Sequence, residues 1–376
     1  MRLVLDLRWV KSPVLDGIAR VSLSLTAALM RQQPDWFFVL LFGSDKLRRF
    51  GLEWLNAASD TPIQADYVSL VIPFGPASPL NQLRLGGLLR KHRPEQYFSF
   101  YYAFQRLNIP QTIMVHDLIP LLFPDSFKQA SLGFRLSMTR SDALRLLLRN
   151  ARRVMTVSHS TRQDLEQQLQ LPKSRIAVCY PGVSPPQPVK GPYPGLAPGY
   201  VLALGRPDPH KNLAGLISAY AALPEALRQQ HPLVLAGPED SRYTPALRQQ
   251  IQDLGLDETA RILGPVAPGN LPALYSGARL LAMVSHYEGF GLPVIEAMSY
   301  GVPVLAAWRG SLPEVAGEAA LLVNPERPPE ITWGLHRLLT KVWLRKNLIK
   351  RGREQAARFS WEASARRLAE ILQQPD

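Results

Sequence analysis

The chain has 376 residues, which is long for a single hydrophobic core, so we expect two domains. Its composition is ordinary for a globular protein, and its one cysteine, Cys179, excludes an internal disulfide framework and a cysteine-rich metal site. No run of about 18 apolar residues predicts a membrane span, and the N-terminus is too short and too charged for a signal peptide. We therefore expect a cytoplasmic protein.

Positive charge is concentrated in the first half of the chain. Residues 1–199 contain 24 lysines and arginines against 13 acidic residues, whereas residues 200–376 contain 19 against 17. Zinc-finger spacing, a basic-region heptad and the aromatic pattern of RNA-binding modules are absent, so we expect no nucleic-acid partner. The basic run 90–93 lies among apolar residues, which suits an anionic membrane surface and a peripheral place on its inner face. A merely solvated basic face is the alternative.

Short apolar runs alternate with amphipathic segments in the first half. Ser160, with Gln163 three residues later, predicts the start of the last of these helices. The alternation predicts a parallel sheet covered by helices on both faces. Strands are predicted at 2–7, 36–42, 97–100, 112–115, 153–157 and 175–178, and helices at 17–31, 80–92, 134–150 and 160–168.

The second half begins after a segment rich in proline and glycine. Six prolines and three glycines among residues 184–199 predict an interdomain linker. Beyond it the pattern of alternating strands and helices returns, so we expect a second doubly wound domain. Strands are predicted at 200–204, 233–236, 261–263, 280–284, 303–306 and 320–323, and helices at 212–222, 245–254, 271–278, 293–300, 312–316, 328–341, 342–358 and 360–373.

The most informative segment is 285–298, which follows a strand of the second half. Glu288 precedes a turn with two glycines, Pro293 suits the first turn of a helix, and Glu296 is expected in that first turn. Free N–H groups at a helix start suit an anionic or hydroxyl-rich ligand, and a carboxylate accepts hydrogen bonds from adjacent hydroxyls, so the pair suits a sugar. Taken singly, Glu296 could be a carboxylate favoured by the helix dipole and Glu288 a solvated loop residue.

The whole segment resembles the Glu-x7-Glu signature of retaining glycosyltransferases of family four, which have the GT-B architecture. The flanking run Gly301-Val302-Pro303-Val304 agrees with that family as well. The resemblance implies an α/β fold of two doubly wound Rossmann-like domains that face a central cleft. It divides the chain into an acceptor-binding domain at 1–184, a linker at 185–199, a nucleotide-sugar-binding domain at 200–358 and a C-terminal helix, 359–376, that packs on the first domain.

The resemblance also assigns roles to individual residues. Glu288 would orient the donor sugar, together with the loop formed by Gly289, Phe290, Gly291 and Leu292. Glu296 would hold the nucleotide ribose.

A second motif, 205–212, follows the first strand of the second half and resembles the phosphate-binding turn of the same enzymes. Its cations Lys211 and Arg206 would stabilise a departing diphosphate. The segment is neither a Walker motif nor Gly-x-Gly-x-x-Gly.

Four further positions match the family less closely. His116 ends a strand and would donate to a sugar hydroxyl or orient the acceptor, with a structural histidine as the alternative. Gly17 lies in a segment similar to Gly-Ile-Gly-Arg, whose glycines allow the backbone to approach the donor phosphate, although Ala19 replaces the second glycine. Gly264 and Val266 would lie where backbone groups meet the nucleotide base.

The chain contains no Asp-x-Asp and no histidine–carboxylate pair at helical metal spacing. We therefore expect no metal and no cofactor, with the nucleotide sugar acting as a co-substrate. The diphosphate charge would be neutralised by Lys211, Arg206 and helix dipoles.

The implied function is transfer of a sugar to a glycan or lipid-linked acceptor in surface polysaccharide synthesis, such as that of lipopolysaccharide. GDP-mannose leads as the donor, because members with similar turns often use it, and UDP-glucose and deoxysugar nucleotides stay open. The alternatives are a nucleotide-sugar epimerase or a phosphorylase of the same architecture, and a non-catalytic glycan-binding protein. A glycogen-type phosphorylase would need a much longer chain, and intact Glu288, Glu296 and Lys211 argue against a degenerate site.

Overall fold

The computed structural model describes residues 1–13, 16–57, 61–76, 78–189 and 191–374. The chain divides into two compact units, of which unit 1 is Met1–Gly182 with Ser360–Asp376 and unit 2 is Val183–Phe359. The proline-rich segment 185–199, in which residue 190 lies outside the described residues, falls within the bounds of unit 2.

Unit 1 is built on a parallel sheet. Its strands are β1 (Arg2–Asp6), β2 (Phe37–Phe42), β3 (Tyr67–Val71), β4 (Gln96–Ser99), β5 (Gln111–Val115), β6 (Arg153–Thr156) and β7 (Ile176–Val178). Within the described residues they form one seven-stranded sheet in the order β3-β2-β1-β4-β5-β6-β7. All of its strand pairs are parallel, so the predicted parallel sheet is confirmed.

The helices of unit 1 differ from the prediction in several places. They are α1 (Gly17–Gln32), α2 (Asp45–Ala57), α3 (Pro79–Leu89), α4 (Ile119–Leu122), α5 (Leu132–Met138), α6 (Ser141–Arg149) and α7 (His159–Leu169), together with α16 (Trp361–Gln373) from the end of the chain. The predicted helix 134–150 is wrong, because the chain leaves the helical conformation at Arg140 and forms two helices, α5 and α6. The predicted cap Ser160 is also wrong, since the hydroxyl of Ser158 accepts from the Thr161 N–H at 3.0 Å and starts the helix earlier.

Unit 2 has the same kind of architecture. Its elements are β8 (Tyr200–Leu204), α8 (Leu213–Ala221), α9 (Glu225–Gln230), β9 (Leu233–Ala236), α10 (Thr244–Asp253), β10 (Ala260–Gly264), α11 (Leu271–Gly277), β11 (Ala278–Met283), α12 (Leu292–Ser299), β12 (Val304–Ala307), α13 (Leu312–Ala316), β13 (Ala320–Val323), α14 (Pro328–Thr340) and α15 (Val342–Ala356). Within the described residues its six-stranded parallel sheet has the order β10-β9-β8-β11-β12-β13. The predicted second doubly wound sheet is confirmed.

The last helix, α16, packs within unit 1 against α1. The amide of Gln32 donates to the carbonyl of Glu362 at 2.9 Å, and the amide of Gln96 donates to the carbonyl of Leu372 at 2.7 Å. Gly182 allows the close approach at the start of α16, because a Cβ there would lie 2.2 Å from the backbone nitrogen of Trp361. Among the described residues, no helix combines the length and the apolar character that crossing a membrane requires.

A buried ion pair lies at the carboxyl end of β1. The Arg8 guanidinium donates to both carboxylate oxygens of Asp6 at 2.7 Å, and the two side chains are 1% and 0% exposed. A third guanidinium nitrogen donates to the side-chain oxygen of Asn81 on α3 at 2.5 Å, and the Tyr97 hydroxyl donates to Asp6. The network therefore fixes the loop after β1 against α3 and β4.

Replacing Arg8 by Met should lower the free energy of unfolding of the protein by about 3–5 kcal/mol, because Asp6 would stay buried without its counter-charge. The matched control is Arg49→Met. Arg49 pairs with Asp45 at 2.6 Å, but its side chain is 73% exposed, so its loss should change stability far less. Urea denaturation of both variants measures the difference, and equal effects would contradict the structural role of the buried pair.

Candidate active site

Two segments of unit 2 meet at the carboxyl edge of its sheet. One is the turn 205–212 after β8, and the other is the loop 284–291 after β11. Because β8 and β11 are parallel neighbours, their carboxyl ends lie side by side. The side-chain amide of Asn212 donates to the carbonyl of Val284 at 3.1 Å, and the His286 N–H donates to the carbonyl of His210 at 2.7 Å. The two segments therefore form one hydrogen-bonded structure.

The site brings Lys211 and Glu288 together. The Lys211 ammonium lies 2.8 Å from both carboxylate oxygens of Glu288, and the Ser285 hydroxyl donates to one of them at 2.6 Å. The Glu288 side chain is only 7% exposed. A carboxylate buried to this degree needs a counter-charge and hydrogen bonds, and Lys211 and Ser285 supply them.

Two residues that the sequence analysis did not identify hold the main chain of the Glu288 loop. The buried Ser311 hydroxyl lies within hydrogen-bond distance of the carbonyls of Glu288 and Phe290, at 2.9 and 2.8 Å. Gly310 has a φ of +55°, and a Cβ there would lie 2.9 Å from the carbonyl oxygen of Glu288. A side chain at position 310 would push this loop away, so the site requires glycine there.

Replacing Ser311 by Ala should destabilise unit 2 by about 1–3 kcal/mol, because the carbonyl of Phe290 would lose the buried Ser311 hydroxyl as a donor. The carbonyl of Glu288 would also lose that hydroxyl but would still accept the N–H of residue 311, at 3.2 Å. The control is Ser299→Ala, which removes a half-buried hydroxyl that donates to the carbonyl of Glu296 at 2.7 Å inside α12. That carbonyl also accepts the Tyr300 N–H, so the control should change stability little. Thermal unfolding compares the two variants, and a Ser311→Ala melting temperature no lower than that of the control would overturn the assignment.

Glu296 lies on α12, which begins one residue earlier than predicted. The helix begins at Leu292, because Gly291 caps it with a φ of +102°, a conformation that glycine adopts without strain. Glu296 is therefore the fifth helical residue, and the prediction that it lies in the first turn is wrong. Its side chain accepts a hydrogen bond from the buried Tyr275 hydroxyl at 2.6 Å.

Arg206 lies in a second charged cluster on the same turn. Its guanidinium is 3.0 Å from the carboxylate of Asp240 and 3.3 Å from that of Asp208. Arg242 also binds Asp240, at 2.7 Å. The Arg242 guanidinium, through its hydrogen bonds, holds the pKa of the Asp240 carboxyl well below its usual range. Arg206 is thus oriented by two carboxylates. Asp208 belongs to the same turn, whereas Asp240 follows β9 in a loop without a recognisable motif, so the sequence analysis did not identify it.

The other residues predicted to surround the donor sugar lie in the Glu288 loop and at the start of α12. Phe290 is buried edge-on against Phe359, with ring centroids 5.6 Å apart, and Gly289 and Gly291 are buried beside it. Leu292 is half-buried at the start of α12.

Gly264 and Val266 follow the strand β10. The carbonyl of Gly264 accepts the Gly237 N–H at 2.9 Å, which joins the ends of β9 and β10, and Val266 is half-buried just beyond. A depression at this edge of the sheet is lined by residues that include Gly205, Pro207, Gly237, Glu239 and Ile262.

His116 and Gly17 belong to unit 1. His116 is buried at the end of β5, and its Nε2 lies 2.8 Å from the carbonyl of Phe100. Burial lowers the pKa of His116 to about 4, so the ring is neutral near neutral pH. Because a carbonyl only accepts, Nε2 carries the proton, and Nδ1 is left as an acceptor. Gly17 is the first residue of α1, which Asp16 caps by accepting the Ala19 N–H at 2.8 Å.

The comparison with family models covers both units. The model "Glycosyltransferase Family 4" matches residues 15–186, and the model "Glycosyl transferases group 1" matches residues 196–355. The chain belongs to the group 1 glycosyltransferases of family 4. The second of these matches extends across the turn 205–212 and the Glu288 loop described above.

Two relatives of this family 4 chain come from Escherichia coli. O-antigen chain mannosyltransferase B is 36% identical over 225 residues, which are 57% of this chain and 58% of that protein. Serotype-specific mannosyltransferase WbdA is 29% identical over 287 residues, which are 71% of this chain and 34% of that protein. The chain thus matches about half of the first relative and a third of the second.

A solved structure shows the same fold. The crystal structure of Anabaena Alr3699/HepE in complex with UDP and glucose superposes with a TM-score of 0.77 at 21% identity and covers 99% of both chains. The GT-B fold class predicted for this family 4 chain, with two Rossmann-like sheets, is confirmed.

Among the described residues of the chain, no cluster of three or more His, Cys, Asp or Glu side chains is arranged to hold a metal ion.

Proposed function

We propose that the protein is a retaining glycosyltransferase that moves a sugar from a nucleotide sugar to a glycan or lipid-linked acceptor. The observation that carries the proposal is the Lys211–Glu288 pair, which places a cation and a carboxylate side by side at the carboxyl edge of the sheet. That edge is where open α/β sheets bind their ligands. A nucleotide sugar needs this combination, because its diphosphate is anionic and its sugar presents hydroxyl donors.

In this proposal the diphosphate lies against Lys211 and Arg206. The Lys211 ammonium has three donor positions, so it can keep one contact with Glu288 while it binds a phosphate oxygen. Arg206 is half-exposed and oriented by Asp208 and Asp240, so its outer guanidinium edge is available to a second phosphate oxygen. Both cations would stabilise the charge that grows on the diphosphate as it leaves.

The two glutamates would bind opposite ends of the donor. Glu288 is fixed at its side chain by Lys211 and Ser285, and it would accept hydrogen bonds from the sugar hydroxyls. Glu296, oriented by the Tyr275 hydroxyl, would accept from the ribose hydroxyls. The depression that includes Gly205 and Glu239 is the site we assign to the nucleotide base.

The reaction that fits these groups is a front-face transfer. The bond between the anomeric carbon and the diphosphate breaks, and an oxocarbenium-like state forms. The acceptor hydroxyl adds from the side on which the diphosphate departs, and a diphosphate oxygen takes the hydroxyl proton, so the configuration is retained. His116, as a neutral ring, would orient the acceptor through Nδ1. No divalent ion is assigned a role, because Lys211 and Arg206 supply the positive charge.

GDP-mannose leads as the donor, since the matched relatives from Escherichia coli are described as mannosyltransferases. The O-antigen chain named in the description of the first relative also supports a surface polysaccharide acceptor. UDP-glucose is the alternative donor, because the Anabaena protein of the same fold was crystallised with UDP and glucose.

Replacing Lys211 by Ala should abolish sugar transfer and remove the rise in melting temperature that the matching nucleoside diphosphate produces in the wild type. The measurement is a thermal-shift series with GDP, UDP, ADP and dTDP, in which we expect GDP to give the largest shift. The control is Lys346→Ala, which changes an exposed lysine on α15 of the same unit and should leave shift and transfer unchanged.

The double variant Lys211→Met/Glu288→Gln separates loss of binding from loss of folding, because it leaves no unpaired charge at the buried position. It should fold and still show no shift with GDP. A wild-type shift and wild-type transfer in Lys211→Ala would refute the phosphate assignment.

Removal of divalent cations should leave transfer within about twofold of the untreated rate, because Lys211 and Arg206 take the place of a metal at the diphosphate. The measurement is the initial rate after dialysis against a chelator, with added Mg²⁺ as the comparison. A rate that collapses on dialysis and returns with Mg²⁺ would show that the reaction needs a metal.

A further inference from the structure

The helix α3 has apolar residues on two sides. One side carries Leu85 and Leu89, which are buried in a cluster with strand residues of unit 1. The other side exposes Leu80, Leu83 and Leu88, and Leu83 is 75% exposed. A helix needs only one apolar side to pack on a sheet, so the second side is available to a partner.

The helices α5 and α6 repeat this arrangement. Leu144 and Leu148 of α6 are buried among strand residues of unit 1. Leu132 and Leu136 of α5 and Leu146 of α6 are exposed, with Leu132 at 67% and Leu146 at 62%.

These helices cover the same face of the sheet. The cluster under α3 includes Val4 and Tyr97, and the cluster under α6 includes Ile113 and Val154. Val4 pairs with Tyr97, Ser99 pairs with Ile113, and Ile113 pairs with Val154. Paired residues of neighbouring strands, and residues two apart on one strand, point to the same side of a sheet. The outward sides of α3 and α6 therefore share one direction. The helix α5 packs on the same face, because its buried Met138 belongs to the cluster under α6.

We call this outward side the basic-apolar surface and define it by Leu80, Leu83, Leu88, Leu132, Leu136 and Leu146. Its charges are almost all positive. Arg84 of α3, Arg135 of α5 and Arg145 and Arg149 of α6 are exposed among the leucines. The one acidic residue in the three helices, Asp142, is paired with Arg140 at 2.8 Å.

We infer that the basic-apolar surface docks on a lipid bilayer that carries anionic headgroups. Exposed leucines between arginines match the boundary between acyl chains and phosphate groups, where the leucines enter the apolar layer and the guanidinium groups bind phosphate. A second copy of the chain would bring the same positive charge to the surface and be repelled. A nucleic acid would use the arginines and leave six leucines in water. This inference does not depend on the proposed transferase activity.

The test is co-sedimentation of the full chain with vesicles of phosphatidylglycerol and phosphatidylcholine, compared with vesicles of phosphatidylcholine alone. We expect binding to the anionic vesicles only, and a decrease in binding as salt increases. The variants Leu83→Gln/Leu136→Gln and Arg84→Gln/Arg135→Gln should each weaken binding by about tenfold or more. The control Leu254→Gln changes an exposed leucine of unit 2, 43% exposed, and should bind as the wild type does.

Equal binding to both kinds of vesicle, absence of binding, or unchanged binding in both double variants would overturn the inference. The oligomeric state of the protein without lipid, measured by analytical ultracentrifugation, provides a further check. A wild-type dimer that becomes a monomer in Leu83→Gln/Leu136→Gln would assign the surface to a second copy of the chain. The thermal shift with GDP should be unchanged in every one of these variants, so a failure here is distinguishable from a failure of the proposed function.

Discussion

The contact between Lys211 and Glu288 is the interaction on which the candidate site depends. It joins a turn after β8 to a loop after β11, 77 residues apart in the chain. The carboxylate is almost fully buried, so without Lys211 it would be left as a buried charge with no counter-charge. Because β8 and β11 are neighbours only in the folded sheet, the charge balance of Glu288 exists only when unit 2 has formed.

The backbone of the Glu288 loop is fixed independently of its side chain. Ser311 binds the carbonyls of Glu288 and Phe290, and Gly310 lets the two chains approach. The side chain is held by Lys211 and Ser285. A carboxylate restrained at both ends loses little freedom when it meets a sugar, which is the condition for electrostatic preorganisation.

The sequence predicted the parts of the structure that depend on local chemistry. The alternation of apolar runs predicted both parallel sheets, and Gly291 with Pro293 predicted the start of α12 to within one residue. The edge strand β3 was missed because it is short, and Ser69 divides its apolar residues; it is largely half-exposed in the folded sheet. The break between α5 and α6 at Thr139 and Arg140 has no local signal, because the apolar spacing typical of a helix continues on both sides of it.

The partners of the site residues could not be predicted, because they have no local signal in the sequence. Ser311 lies 23 residues after Glu288, and Asp240 lies 34 residues after Arg206. They matter because both predicted phosphate-binding cations are already paired with carboxylates. In the proposed donor complex, a diphosphate would share Lys211 with Glu288 and Arg206 with Asp240. Asp240 keeps Arg242 as a second cation and can release part of Arg206 at little cost. Glu288 has no second cation within 4 Å among the described residues, so in the proposed donor complex its contact with Lys211 should persist and keep the carboxylate next to the ammonium.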